Sequence, residues 1–169
     1  MPSSSDPHVP SWPWWIVTAG GLGGAPKAPG TFGALGAIPI CVAAAYVPIP
    51  WNWVILAGAF LVACAATVAC GRWAERYFGR KDAGSFVTDE VAGLLLTWML
   101  VQPTASLWVP LVWAFAFTRI FDIAKPPPAK WLEKLPAGWG VLLDDLASSL
   151  WAAAALHLLR WMIPGPYGP

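Results

Sequence analysis

From Thr31 to Gly71 the chain runs 41 residues without an acidic or basic side chain. Val91 to Thr118 adds 28 more, and Leu146 to Leu159 another 14 in which His157 is the only titratable interruption. A helix that crosses the hydrocarbon core of a bilayer needs about 20 apolar residues, with about 17 as a lower limit. Composition points the same way. Charged residues make up 11% of the 169, where a soluble domain carries about 25%. Thirteen tryptophans suit membrane interfaces, where indole is enriched. Ten Lys/Arg balance nine Asp/Glu, which excludes nucleic-acid binding through a basic surface. The apolar content excludes a disordered chain, and the length suits one domain.

The 41-residue stretch has room for two spans. Its break is Val47-Pro48-Ile49-Pro50-Trp51-Asn52, because prolines end helices and push the preceding residue to extended geometry. This predicts helices near 32–47 and 52–71. The second stretch breaks at Gln102-Pro103-Thr104, giving short helices near 88–101 and 105–119. At 1.5 Å per residue each reaches about 21 Å, short of a core of about 30 Å. They therefore require thinned lipid, tilt or a partly re-entrant hairpin. A last helix is expected from Val141 to about Met162.

The two turns, 47–52 and 102–104, hold no Lys or Arg, whereas Lys27 and the blocks 72–81 and 119–134 hold nine of the ten. Cytoplasmic loops carry the Lys/Arg excess. The expected architecture is an all-α polytopic membrane bundle: two helical hairpins plus a C-terminal helix, polar loops on the cytoplasmic side. Arg160 then lies outside or snorkels to an interface. Residues 1–19 read as a flexible head with an interfacial anchor (Trp12, Trp14, Trp15, Ile16, Val17), 20–163 as one membrane-embedded domain, and 164–169 as a loose tail. The head lacks the basic region and apolar core of a signal peptide. Cys41, Cys64 and Cys70 fall in apolar spans and read as small buried hydrophobes.

The chemistry is in the polar blocks. Asp82, Asp89, Glu90, Asp122, Asp144 and Asp145 all lie at apolar boundaries, and ionisable groups at membrane depth usually mark function. The two hairpins bring these boundaries to one face. Clustered carboxylates repel one another unless a cation sits among them, and hard oxygen donors suit Mg²⁺, which shares its shell with water and phosphate. The plainer reading is dipole-favoured acids at a helix start and an ion-paired turn; it suits one acid better than the whole set. Basic partners are interleaved. Arg119 and Asp122 share a helix face, Lys125 precedes Pro126-Pro127-Pro128, and Lys81 adjoins Asp82. Arg and Lys beside a metal suit phosphate. For Lys130, Lys134, Arg72, Arg76 and Arg80, positive-inside anchoring is the better account.

The run Gly20-Gly21-Leu22-Gly23-Gly24 and the following Ala25 to Thr31 could expose amides to an anion, but the phosphate-loop pattern is missing. Cys70 and Arg76 have the spacing of cysteine-dependent phosphatases. Yet Trp73, Ala74 and Glu75 lie between them on an apparent helix, where a thiolate cradle cannot form. His8 and His157 are poorly placed for a nucleophile.

Four blocks carry a resemblance: residues 21–35 (Gly-Leu-Gly-Gly-Ala-Pro-Lys-Ala-Pro-Gly-Thr-Phe-Gly-Ala-Leu), 81–90 (Lys-Asp-Ala-Gly-Ser-Phe-Val-Thr-Asp-Glu) with Gly93, 117–128 (Phe-Thr-Arg-Ile-Phe-Asp-Ile-Ala-Lys-Pro-Pro-Pro) and 138–145 (Gly-Trp-Gly-Val-Leu-Leu-Asp-Asp). In order and spacing the chain resembles bacterial phosphatidylglycerophosphatase A over roughly residues 20–160. The resemblance implies a Mg²⁺-dependent membrane phosphatase of glycerophospholipid biosynthesis in the bacterial inner (cytoplasmic) membrane, its active site facing the cytoplasm. Its substrate would be phosphatidylglycerophosphate, cleaved to phosphatidylglycerol and phosphate. Family positions map onto Lys27, Pro29, Gly30, Thr31, Lys81, Asp82, Asp89, Glu90, Arg119, Asp122, Lys125, Asp144 and Asp145. Departures at Ala34, Ala137 and Ser148-Ser149 remove no charged group.

Together these readings assign Asp82, Asp89, Glu90, Asp122, Asp144 and Asp145 to Mg²⁺. Lys27, Gly30, Thr31, Lys81, Arg119 and Lys125 go to substrate, with Lys81, Asp89, Arg119 and Lys125 catalytic. Two alternatives are weaker. A membrane alcohol phosphotransferase needs an Asp-Gly-x-x-Ala-Arg signature, which Asp82-Ala83-Gly84 does not continue. A non-catalytic transporter predicts acids deep in spans, and 31–71 has none.

Overall fold

Proline and glycine, more than hydropathy, decide where the helices of this chain begin and end. The computed structural model describes residues 12–101 and 106–163, and among these it is helical with no strand. The helices are α1 (Trp12–Val17), α2 (Pro29–Leu35), α3 (Ile38–Ala45), α4 (Trp51–Phe78), α5 (Thr88–Val101), α6 (Trp108–Ala124), α7 (Ala129–Leu132) and α8 (Ala137–Met162). Two of them, α4 and α8, are long and apolar enough to cross a membrane by length and composition.

The first expected span is divided. Residues 32–47 are not one helix, because the chain breaks between Leu35 and Ile38 and restarts with Pro39 in the first turn of α3. Proline at that position has no amide to lose and a φ suited to a helix start. The second span is longer than 52–71. Arg72, Glu75 and Arg76 continue α4 to Phe78, where Gly79 in the left-handed region (φ 71°) ends it, as glycine can at little steric cost. The expectation for α5 coincides with the structure, while α6 is shifted to 108–124 and α8 begins at Ala137, four residues early. The proposed break at 102–104 and the tail at 164–169 lie outside the described residues, as does the head up to residue 11. Its remainder is more than a surface anchor: Trp12 and Trp15 are exposed, but Val17 and Thr18 are fully buried. The Val17 carbonyl accepts a hydrogen bond from the Val87 amide at 2.8 Å, so α1 is tied to the loop that leads into α5.

Helix α5 is the centre. Asp89, Val91, Ala92, Gly93, Leu94, Leu95, Thr97, Trp98 and Val101 are buried among α4, α6 and α8. Leu94, Leu95 and Trp98 pack with Leu56 of α4, Leu111 of α6 and Leu142 and Leu156 of α8. Buried hydroxyls join the helices. Thr67 Oγ1 meets Thr88 Oγ1 at 3.0 Å, and Thr118 Oγ1 meets Thr97 Oγ1 at 2.9 Å. In a low-dielectric interior such bonds fix one relative placement of helices. The outward faces are apolar, with Val54, Leu61, Val62, Val112, Leu150 and Leu158 each more than half exposed. A surface of that kind calls for lipid or another apolar partner.

Helices α4 and α8 cross by backbone contact. A Cβ on Gly71 would strike the Gly138 main chain, and one on Gly138 would strike the Thr67 carbonyl and come within 2.9 Å of Val68 Cα. Main chain cannot yield as a side-chain tip can. Gly138→Ala should therefore destabilise the fold by about 1–3 kcal/mol through overpacking, even though alanine is the better helix former. Thermal unfolding in detergent measures this. The far end of α5 is held too: Arg160 Nη1 donates to the Val101 carbonyl at 3.1 Å, and His157 Nε2 lies 3.1 Å from the Leu100 carbonyl. Arg160 thus reaches back onto a carbonyl of the last turn of α5, where the helix itself supplies no amide partner.

Candidate active site

Four segments converge at the opposite end of α5. Asp89 and Glu90 form its first turn. Arg119 and Asp122 come from the last turns of α6, and Lys125 is the α6 C-cap, held at φ 43° with its amide on the Phe121 carbonyl. Asp144 and Asp145 lie about two turns into α8. Lys81 and Asp82 come from the loop between α4 and α5. Pro126 follows the cap, where a helix cannot continue, so the chain leaves α6 with Lys125 turned back towards α8.

The acids are unusually buried. Asp89 is 4%, Asp144 3% and Asp145 7% exposed, a state that carboxylates avoid unless paired. Asp89 lies near enough to Asp82, Asp122 and Asp144 for their charges to repel. Asp145 likewise faces the charges of Asp89, Asp122 and Asp144. Two cations offset part of this charge. Arg119 pairs with Glu90 through Nη1 and with Asp122 through Nη2 at 3.1 Å. Lys125 Nζ donates to Asp144 Oδ2 at 2.6 Å and lies 3.4 Å from Glu133 and 3.9 Å from Asp82. Burial alone would lower the Lys125 pKa, but the hydrogen bond to Asp144 and the surrounding carboxylates outweigh it, and the ammonium is held above the usual lysine range.

The phosphate-side residues differ in placement. Gly30, in the first turn of α2, abuts the Glu90–Arg119 pair; a Cβ there would strike Glu90 Oε1 and come within 3.0 Å of Arg119 Nη2. Thr31 is half-buried beside it, and its amide bonds the Ala28 carbonyl at 2.9 Å. Lys27 is exposed and takes part in none of the ion pairs among the described residues. Lys81 is turned to the Glu133 main-chain carbonyl. Glu133 was not singled out in the sequence, because it lies between the Pro126–Pro128 turn and α8, in no motif and at no span boundary. Its position among Lys130, Lys134 and the prolines was the available signal.

The donor set fits a hard divalent cation in type: buried carboxylates and, at Asp89, an Oδ1 without a hydrogen-bond partner. Among the described residues no three acidic, His or Cys side chains converge closely enough to hold a metal. The oxygens of Glu90, Asp122 and Asp144 are turned instead to Arg119 and Lys125. The cysteine route has no support in the geometry. Cys70 is buried and free on α4, and Arg76 Nε donates to the Arg72 carbonyl.

The sequence profile described as Phosphatidylglycerophosphatase A matches residues 15–160, a span that includes every residue of this site. The chain belongs to the phosphatidylglycerophosphatase A family. It is 32% identical over 149 residues to phosphatidylglycerophosphatase A of Escherichia coli (strain K12), covering 87% of this chain and 83% of that one. To the Haemophilus influenzae protein of the same name it is 30% identical over 139 residues, covering 80% and 82%. It is also 33% identical over 155 residues to a Bacteroides thetaiotaomicron protein named as a phosphatidylinositol-3-phosphatase of putative status, covering 89% and 95%. No solved structure matches. Membership makes this chain an enzyme, a phosphoric monoester hydrolase.

Proposed function

We propose that the protein hydrolyses the terminal phosphomonoester of phosphatidylglycerophosphate to phosphatidylglycerol and inorganic phosphate, in glycerophospholipid biosynthesis. It does so as a multi-pass protein of the bacterial inner membrane, with the site facing the cytoplasm. The observation that carries this reading is the buried Asp89, Asp144 and Asp145 cluster flanked by Arg119 and Lys125. In this reading Asp82, Asp89, Glu90, Asp122, Asp144 and Asp145 would hold Mg²⁺, directly or through water. When bound there, Mg²⁺ supplies neutralising charge and lowers the pKa of a water molecule.

The chain's own residues do the rest. Arg119 offers a planar fork that suits two phosphate oxygens at once, and Lys125 and Lys81 act as point charges. Positive charge of this kind suits a transferring phosphoryl group, which spreads negative charge over its oxygens. Gly30 has no Cβ to displace the Glu90 and Arg119 side chains that lie against it, so in this reading α2 borders the phosphate site through its backbone. Thr31 and Lys27 complete that border. Lipid around the apolar helix faces keeps bulk water away, which strengthens every charge interaction within.

The test uses purified protein in detergent micelles. Phosphate release from phosphatidylglycerophosphate is expected, falling to background with excess chelator and returning with Mg²⁺. Phosphatidylinositol 3-phosphate is assayed in parallel because of the Bacteroides relative. Release that is insensitive to chelator, or confined to the inositol lipid, would overturn the proposal.

A further inference from the structure

The connection between α7 and α8 holds one residue that touches both lysines flanking the acid cluster. The main-chain carbonyl of Glu133 accepts Lys81 Nζ, and its carboxylate lies 3.4 Å from Lys125 Nζ. Its own position is fixed from behind. The Glu133 amide bonds the Ala129 carbonyl at 3.1 Å, the Leu135 amide bonds the Leu132 carbonyl at 2.9 Å, and Ala129 is fully buried. Gly140, at the start of α8, faces the same spot. A Cβ there would strike the Leu135 and Glu133 carbonyls and lie 2.9 Å from Lys81 Nζ. Four residues turn of α7, too short to be stable alone, are thus packed where they deliver Glu133.

We propose that Glu133 is a positioning residue of the site, its carbonyl holding Lys81 and its carboxylate drawing Lys125 against the pull of Asp144. This rests on the functional reading above and extends it. Lys125 has Asp144 at 2.6 Å on one side and Glu133 at 3.4 Å on another. Without Glu133 the ammonium keeps Asp144 and the more distant Asp82 at 3.9 Å as its anions, and its direction relative to substrate changes. As a positioning residue Glu133 acts through Lys81 and Lys125, so its loss is expected to affect turnover more than binding.

Two measurements test this on the full-length protein. Glu133→Gln keeps the carbonyl and removes the charge; kcat is expected to fall about tenfold with KM within about twofold, and Glu133→Asp to recover most of the loss. A Glu133→Gln enzyme with wild-type kcat, or one that loses KM alone, overturns the carboxylate role. The second measurement needs no substrate. Hydrogen exchange of backbone amides in residues 129–136 is expected to rise several-fold in Lys81→Met and to stay at the wild-type rate in Glu133→Gln. Unchanged exchange in Lys81→Met overturns the tie between Lys81 and the carbonyl. If the wild-type protein released no phosphate from any lipid tested, the functional reading would fall, whereas the exchange experiment would still decide the placement of Glu133.

Discussion

Asp89→Asn is expected to lower phosphate release by about a thousandfold or more, while the protein becomes no less stable and unfolds at the same or a higher temperature. The two halves of this result have one cause. Asp89 is 4% exposed, and its Oδ1 has no hydrogen-bond partner, a costly state for an ionised oxygen. It also faces the charges of Asp82, Asp122 and Asp144. An amide of the same shape removes the repulsion and with it the anionic donor that the proposed chemistry needs. Asp145→Asn, on α8 in the same cluster, should behave alike. Activity lost with stability kept or gained is the signature of a site whose chemistry is held against local stability. Near-wild-type phosphate release from both variants under excess Mg²⁺ would instead rule out the assignment of these acids to a metal. Steady-state kinetics and thermal unfolding of the same detergent preparations read both halves.

The second large effect has the opposite pattern. Arg119→Ala should lose activity and fold together. Arg119 bridges Glu90 on α5 to Asp122 on α6, with all three side chains about one-seventh exposed. Removing one member of a largely buried ion-paired group strands the remaining charges, at a cost of about 3–5 kcal/mol in comparable buried pairs. Arg119→Lys separates the two roles. A lysine restores one positive charge but cannot hold Glu90 and Asp122 at once through a fork. Much of the stability should return, while activity stays about a hundredfold down. Unfolding followed by circular dichroism, set beside kcat/KM, distinguishes these outcomes. An Arg119→Lys enzyme of wild-type activity would exclude a bidentate role for the guanidinium.

Charge distribution made the acid end of the fold legible before any coordinates. Thr88-Asp89-Glu90 follows a polar loop and precedes an uncharged run, so the change in polarity marks the start of α5. The other boundaries depended on backbone effects that hydropathy hides. The apolar run 31–47 is uniform, yet Gly36 and Pro39 divide it. Conversely, charge ends the apolar span at Gly71, but nothing breaks the helix before Gly79. Gly138 and Gly140 lie ahead of Val141, the expected start of the last helix. They are helical, and glycine is present because neighbouring main chain passes too close for a Cβ. Within the site, the residue types and their convergence were visible, but not the pairing. Sequence spacing gave Arg119 to Asp122 as an i, i+3 pair; that Glu90 shares the same guanidinium, or that Lys81 turns to a carbonyl, depends on tertiary placement alone.

The holds at the two ends of α5 have a consequence for the lipid around it. Arg119 grips Glu90 in the first turn, and Arg160 grips the carbonyl of Val101 in the last. At 1.5 Å per residue the distance between those grips is about 17 Å, little more than half of a hydrocarbon core of about 30 Å. Both grips join α5 to longer neighbours, so the protein carries a ruler that cannot stretch. In the proposed membrane setting the softer partner would conform: a bilayer dimpled towards the carboxylates would bring a lipid phosphate down to the acids with the leaflet that carries it.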